Sequence, residues 1–405
     1  MTSPDEARSA GVLITDGDAR AALAATRCLV RAGHRVYVAA PGPTSLAGIS
    51  RGARPLTAST DPLRDPAGFA AEIARLAERV GAHVVLPVTD ASVAALLAHR
   101  DLLPPRAALP LPSLAAFTCA SDKTQMAALA RASGLAIPSA VVISSPDDTL
   151  RLADFPRYPA VLKPRASVVA VDARQYRKLG VRIVEDADRC RDAVRELPPA
   201  AFPAQLQERV RGPGEGVFLL RWNGRFIAEF AHRRLREIPP SGGVSVYREA
   251  IPVDAALAAA ARRMLEALDW QGVAMVECKR DVDAGRHVFM EVNGRLWGSL
   301  QLAVDAGVPF PSLLVHCALG ANVQGPATYR AGVRSRWFWG EMDYLYARMR
   351  RSRRALHLDR SAPTRLGAVA AMLVHRPGRD RWELGDWSDP GPFLLETARR
   401  LGLAR

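Results

Sequence analysis

The pair Glu277 and Glu291 constrains this chain more than any other feature of its sequence. Between them lies a turn signal, Asp283-Ala284-Gly285, and the flanks, Gly272 to Cys278 and His287 to Val292, are apolar and β-prone. That pattern predicts a β-hairpin. A hairpin centred on Ala284 sets Glu277 directly across from Glu291, and Asn293, two residues on, shares the face of Glu291. Like charges opposed on a sheet repel, and the apolar flanks Val273, Met275, Phe289 and Met290 make this a half-buried strand pair. A divalent cation removes the conflict, because Mg²⁺ takes carboxylate and amide oxygens and leaves positions for phosphate oxygens. Arg295 then stands at the rim with a fork suited to phosphate or carboxylate. Glu277, Glu291 and Asn293 are therefore read as metal ligands beside a nucleotide. The competing reading is an exposed sheet edge with scattered charges.

At 405 residues the chain exceeds one ordinary core, so two or three domains are expected. A hydrophobic fraction of 49% with 24% charged residues is that of a globular protein. The start, Met1-Thr2-Ser3-Pro4-Asp5-Glu6, has no basic n-region and no apolar h-region, so no secretory signal is expected. The run Ala368 to Val374 is far short of a membrane span. Five cysteines, odd in number and without C-x-x-C spacing, fit reduced thiols in a cytoplasm and argue against a zinc site.

A net charge of +14 raises the question of a nucleic-acid partner. Of 55 basic residues only four are lysine (Lys123, Lys163, Lys178, Lys279), so the excess reads as an arginine bias in composition. Its densest run, Arg348, Arg350, Arg351, Arg353 and Arg354, reads as a solvated helical face, with an anionic partner or membrane surface as the alternative. No RNP, zinc-finger or helix-turn-helix pattern accompanies it, so nucleic acid is not expected. In so arginine-rich a chain each retained lysine draws suspicion.

The N-terminal third alternates strand and helix: Val12 to Thr15, a helix to Ala32, Arg35 to Ala40, helix Phe69 to Val80 and strand His83 to Pro87. This predicts an α/β domain. It lacks G-x-G-x-x-G, which argues against dinucleotide binding. Asp16, Arg20, Arg51 and Asp90 fall in loops after strands, where such sheets place ligands. A proline-rich break, Leu103 to Pro112, closes this part. Further strands are expected at Ala160 to Lys163, Gln205 to Glu208, Val217 to Arg221 and Phe226 to Phe230, the last two joined by an Asn223-Gly224 type I′ turn.

Five segments in order resemble the ATP-grasp superfamily, and within it the carboxylate–amine ligases, over roughly residues 10 to 325. They are Ser121-Asp122-Lys123, Tyr158 to Pro164 with Lys163, Gln207 to Gly212, the pair Glu277 and Glu291-x-Asn293-x-Arg295, and Ala306 to Pro311. The resemblance implies an N-terminal Rossmann-like pre-ATP-grasp domain (1–112) and a two-lobed α+β ATP-grasp domain (113–325, lid about 150–210). Residues 326–405 are left as an arginine-rich C-terminal extension without a motif. It also implies ATP, with one or two Mg²⁺ (or Mn²⁺), and cytoplasmic coupling of a small carboxylate to an amine through an acylphosphate. A homodimer is compatible with it. Lys123 and Lys163 would meet the α- and β-phosphates, Glu208 C=O and Val210 N–H the adenine, and Glu215 the ribose. Arg295 would stabilise the transferring phosphoryl group, with Arg234 a second phosphate contact or a structural ion partner. Ser241-Gly242-Gly243 would form an amide-lined nest for the acyl group, and Asp16 and Asp90 lie on the substrate side; His232 reads as structural.

Two positions depart from the family pattern. Gly294 stands where the signature usually has proline, and the loop Arg165 to Asp172 after the second lysine has no glycine until Gly180. Two other functional classes stay open at this point: an ATP-binding protein without ligase activity, and an anionic-surface or nucleic-acid binder acting through the arginine-rich C-terminus.

Overall fold

The computed structural model describes residues 9–42, 44–148, 152–153, 155–172, 175–359 and 362–404; the N-terminal Met1–Glu6 segment lies outside them. The first four strands are β1 (Gly11–Ile14), β2 (Arg35–Ala40), β3 (Ala53–Thr57) and β4 (Val84–Leu86). They form a parallel sheet in the order β3-β2-β1-β4. β1 and β4 are buried throughout, as their unbroken Val, Leu and Ile runs require. Helices α1 (Arg20–Arg31) and α2 (Pro66–Val80) connect the strands, and α3 (Asp90–Ala98) follows β4. α2 starts where Asp65 accepts the Gly68 N–H and stops at Gly81, whose φ of 62° suits a glycine C-cap. α3 begins on a Thr89–Ser92 capping box, which fixes Asp90 just beyond the carboxyl end of the sheet.

Two helices follow, α4 (Leu114–Ser121) and α5 (Lys123–Ala132). A small lobe then runs through β5 (Ala140–Ile143), β6 (Ala160–Lys163), β7 (Val168–Ala170), β8 (Tyr176–Lys178), β9 (Arg182–Val184), α6 (Ala187–Arg195) and β10 (Ala204–Glu208). Its antiparallel sheet has the order β5-β10-β6-β9, while β7 and β8 pair as a separate ribbon. Leu162, Val184, Val194 and Leu206 form its core. The ribbon reaches the N-terminal part, because the Tyr176 N–H donates to the Leu63 carbonyl (2.7 Å).

The largest sheet contains β11 (Gly214–Trp222), β12 (Arg225–Ile238), β13 (Val244–Ala250), β14 (Gly272–Asp281), β15 (Arg286–Asn293), β16 (Arg334–Arg336) and β17 (Asp380–Trp382). Their order is β15-β14-β11-β12-β13-β16-β17. Asn223 (φ 47°) and Gly224 (φ 77°) make the left-handed turn expected between β11 and β12. Alternation along β11 divides the interior. Val217 and Leu219 join Val276 and Phe289 under α7 (Ala255–Ala267), while Phe218 and Leu220 join Met275, Phe230 and Trp297 on the other face. That second face also carries α8 (Leu300–Ala306) and α9 (Phe310–Ala318), against which α1 packs. Among the described residues no single helix is long and apolar enough to cross a membrane.

The expectation of a separate C-terminal extension is corrected. β16 pairs with β13 and β17 with β16, so this segment completes the central sheet. Its helices are α10 (Phe338–Arg350), α11 (Arg365–Leu373) and α12 (Gly391–Arg400). The strands could not be read as such because each is three residues long and mostly polar or charged (Arg-Ser-Arg and Asp-Arg-Trp); buried ion pairs rather than apolar alternation hold them. Arg336 donates to Glu341 (2.7 Å), and Arg27 in α1 donates to Asp389 (2.8 Å). The arginine run is no uniform solvated face either. Arg348 is 2% exposed and bonded to the Pro363 carbonyl, whereas Arg350, Arg351 and Arg354 are exposed.

Candidate active site

β14 and β15 place Glu277 opposite Glu291, as read from the sequence, but a bulge makes the match. Near the turn Cys278 faces Phe289; beyond the shift Glu277 faces Glu291, so Met290 is the extra residue. Without it Glu277 would face Met290 and Glu291 would turn to the other side. The carbonyl of the bulged Met290 accepts Nζ of Lys163 (3.5 Å) from the end of β6. One irregularity thus pairs the carboxylates and seats a lysine over them.

These groups line a cavity of about 850 Å³ between the N-terminal sheet, the small lobe and the central sheet. The Glu208–Val210 segment and the Ser241–Gly243 loop also border it, as do Asp16, Asp90 and Arg295. Lys123 lies in an adjoining pocket that shares Glu291 and Asn293. Asp122 positions it by capping α5 through the N–H groups of Thr124 and Gln125, and Asp122 also accepts from Arg165 (2.7 Å). The Lys123 ammonium donates to Ser167 in the loop before β7 (3.3 Å). A serine hydroxyl thus faces the lysine in the glycine-poor loop.

The electrostatics are asymmetric. Burial pulls the Lys163 ammonium below the ordinary lysine range; Glu291 opposes this, and Lys123 reinforces it. Burial also pushes Glu277 up, with Arg234 opposing and Glu291 adding to the rise. For Glu291 burial works in the same sense, but Lys123, Lys163 and the Asn293 amide outweigh it and hold the carboxyl below its usual range. Arg234 donates to Glu277 Oε2 (2.5 Å), Glu237 (3.0 Å) and the Gly243 carbonyl (3.1 Å), so its guanidinium is committed to ion pairs that fix the Gly243 loop. Arg295 donates to Asp90 (2.8 Å) and to Asn293 Oδ1 (3.3 Å), which locks its fork beside the carboxylates.

The donor set suits a hard cation. Hydrogen bonds occupy Oε2 of Glu277 and Oε1 of Glu291, and none is formed by the other oxygen of either carboxylate among the described residues. No cluster of three His, Cys, Asp or Glu side chains able to hold a metal is present among the described residues. A cation here would therefore draw its remaining oxygens from Asn293, ligand or water, as Mg²⁺ does beside phosphates.

Three expectations need correction. Glu215 pairs in register with Cys278, on the sheet face away from Glu277, and its carboxylate meets His287 (2.8 Å). The strand extends back to Gly214, beyond its apolar run, so Glu215 shares the face of Val217 and points away from the cavity. Asp16 lines the cavity, but its oxygens accept from Thr15, Val88, Thr89 and Ser92, so it ties the β1 and β4 loops together. Arg51 is held from its backbone by Asp389 and does not border the cavity. His232 is buried and bonded to Ser299 (2.8 Å); burial, then Arg234 and Arg248, pull it well below its ordinary value. Gly294, where proline is usual, has a packing reason: a Cβ there would lie 2.4 Å from the ring of buried Trp270.

Residues 204–340 match the family described as ATP-grasp in the biosynthetic pathway with Ter operon. The chain is similar over most of its length to biotin carboxylase from Campylobacter jejuni (15% identity, 82% of this chain and 75% of that one, TM-score 0.62). It is likewise similar to L-amino acid ligase from Bacillus licheniformis (17%, 77% and 74%, TM-score 0.56). N5-carboxyaminoimidazole ribonucleotide synthetase from Thermus thermophilus gives 18%, 80% and 81%, TM-score 0.58. The chain has the ATP-grasp fold. No curated protein matches it.

Sequence reasoning missed two residues that the ATP-grasp cavity brings in, Lys178 and Lys279. The scarcity of lysine was the signal that could have found them. With them, every lysine of the chain lies at the cavity or its adjoining pocket.

Proposed function

We propose that this protein is an ATP-dependent ligase that activates a carboxylate as an acylphosphate and couples it to an amine, releasing ADP and phosphate. One observation carries the reading: the bulged hairpin opposes Glu277 and Glu291 under Lys163, in a cavity also bordered by Glu208–Val210 at the end of β10. Adenine would take the Glu208 carbonyl and the Val210 N–H. Lys123 and Lys163 would neutralise the phosphates. Glu277, Glu291 and Asn293 would hold one or two Mg²⁺ (Mn²⁺ has the same donor preference), which withdraw charge from the β- and γ-phosphates. Arg295, oriented by Asp90, would face the phosphoryl group as it moves to the substrate carboxylate. Arg234 would act from its ion pairs, keeping Glu277 ionised and the Ser241–Gly243 loop in place for the acyl group. The protein's contribution is alignment and charge neutralisation. Five free cysteines accord with a cytoplasmic setting.

A panel of carboxylate and amine pairs, scored by Mg²⁺-dependent ADP release and by product mass, tests the reading. A pair that gives both ADP and an amide, with loss of both in Lys163→Ala, is expected. ADP release that survives Lys163→Ala unchanged would refute it.

A further inference from the structure

We propose that Lys279 is a nucleotide-binding residue that contacts the α-phosphate, between the adenine hinge and the metal carboxylates. The inference rests on the nucleotide reading above and adds a residue that the sequence motifs did not supply.

Among the described residues no lysine takes part in a salt bridge, while arginines form ion pairs throughout the molecule. Lys163, Lys178 and Lys279 line the cavity, and Lys123 lines the pocket beside it. A cation kept without a carboxylate partner in a partly buried cavity is a site that an anion completes.

Strand geometry gives the position. Lys279 lies two residues from Glu277 on β14, so both side chains share a face at a separation of about 6.8 Å along the strand. In that direction the strand runs to the end of the hinge segment: the Arg280 N–H donates to the Pro213 carbonyl (3.0 Å), and Lys279 Nζ donates to the Gly212 carbonyl (3.4 Å). One strand face therefore runs from the metal carboxylate to the loop following Val210. A nucleotide with its base at Glu208–Val210 and its terminal phosphates at Glu277 passes Lys279 midway. The Gly242 loop closes on the same point, for a Cβ at Gly242 would lie 3.8 Å from Lys279 Nζ. Glu215, on the opposite face, leaves this stretch of the nucleotide to another residue. The Lys279 charge also acts on Lys163, as expected for two cations converging on one phosphate chain.

Calorimetric titration of MgADP and of adenosine into wild type, Lys279→Met, Lys279→Arg and Lys163→Ala tests the assignment. Lys279→Met should weaken MgADP about 10-fold, Lys279→Arg should restore most of the loss, and adenosine affinity should stay within about 2-fold. Equal losses for MgADP and adenosine would show that Lys279 only holds the hinge through Gly212, and would overturn the proposal. So would unchanged MgADP affinity in Lys279→Met while Lys163→Ala is weakened. If wild type and Lys163→Ala bind MgADP equally, or neither binds, the nucleotide reading itself falls and takes this assignment with it.

Discussion

The cavity wall and the C-terminal segment are both rich in buried charge, and they treat it in opposite ways. In the C-terminal segment the charges are matched. Glu341 accepts from Arg336 and Arg236, Asp380 from Tyr247 and the Arg376 N–H, and Glu383 lies between Arg20 and Arg248. At the cavity Glu277 faces Glu291 while paired with Arg234, and among the described residues no lysine has a carboxylate partner. Paired buried charge fixes register within a fold, and its energy is realised on folding. Unpaired charge around a void is complete only when a ligand arrives. Both regions contain arginine–carboxylate pairs, and what sets the cavity apart is that its lysines lack a carboxylate partner among the described residues.

Glu341→Ala strands Arg336 and Arg236, and should cost about 3–5 kcal/mol in denaturant unfolding, since the Glu341 and Arg336 side chains are 1% and 2% exposed. A shift near zero would mean that these pairs do not hold β16 in the sheet. Glu291→Ala should do the reverse. Mg²⁺-dependent ADP release should fall about 100-fold or more while the unfolding midpoint stays close to wild type. A large stability loss with activity retained would move Glu291 into the structural class.

Asp90→Asn probes the link between the regions, because Asp90 touches no nucleotide in this account and acts by orienting Arg295. A fall of about 10-fold in kcat with nucleotide KM little changed is expected, and a KM effect alone would contradict the positioning role. The smallest effect concerns His34 and His316, whose rings lie 5.4 Å apart where α9 meets the turn after α1. Burial, then His316, lowers His34 to about 4. The unfolded chain therefore binds more protons between about pH 4 and 6.5, so stability should fall on acidification through that window. The slope for one histidine is up to about 1.4 kcal/mol per pH unit. His34→Gln should flatten it, and an unaltered slope would exclude this pair as the cause.

Much of this was legible in the sequence. The alternating N-terminal strands and the Asn223-Gly224 turn follow from local pattern, whereas a hairpin centred on Ala284 opposes Glu277 to Glu291 only because the bulge offsets a turn that pairs Asp281 with Arg286. What escaped has physical reasons. A bulge leaves no mark on apolar alternation, so the part played by Met290 could not be seen, although the pairing it creates was. Glu215 lies away from the cavity because β11 extends back to Gly214, so Glu215 follows the alternation of Val217 and Leu219 rather than the freedom of a loop. β16 and β17 were hidden because long-range ion pairs, absent from any local window, stabilise them. Lys279 was visible through composition alone but sits outside every motif.

We propose that the opposed carboxylates form an incomplete site which a metal–nucleotide pair completes. This is tested most directly by titrating ADP with and without Mg²⁺ into wild type and Glu291→Gln. Mg²⁺ should tighten ADP binding strongly in wild type and hardly at all in Glu291→Gln. An equal Mg²⁺ effect in both proteins would contradict it.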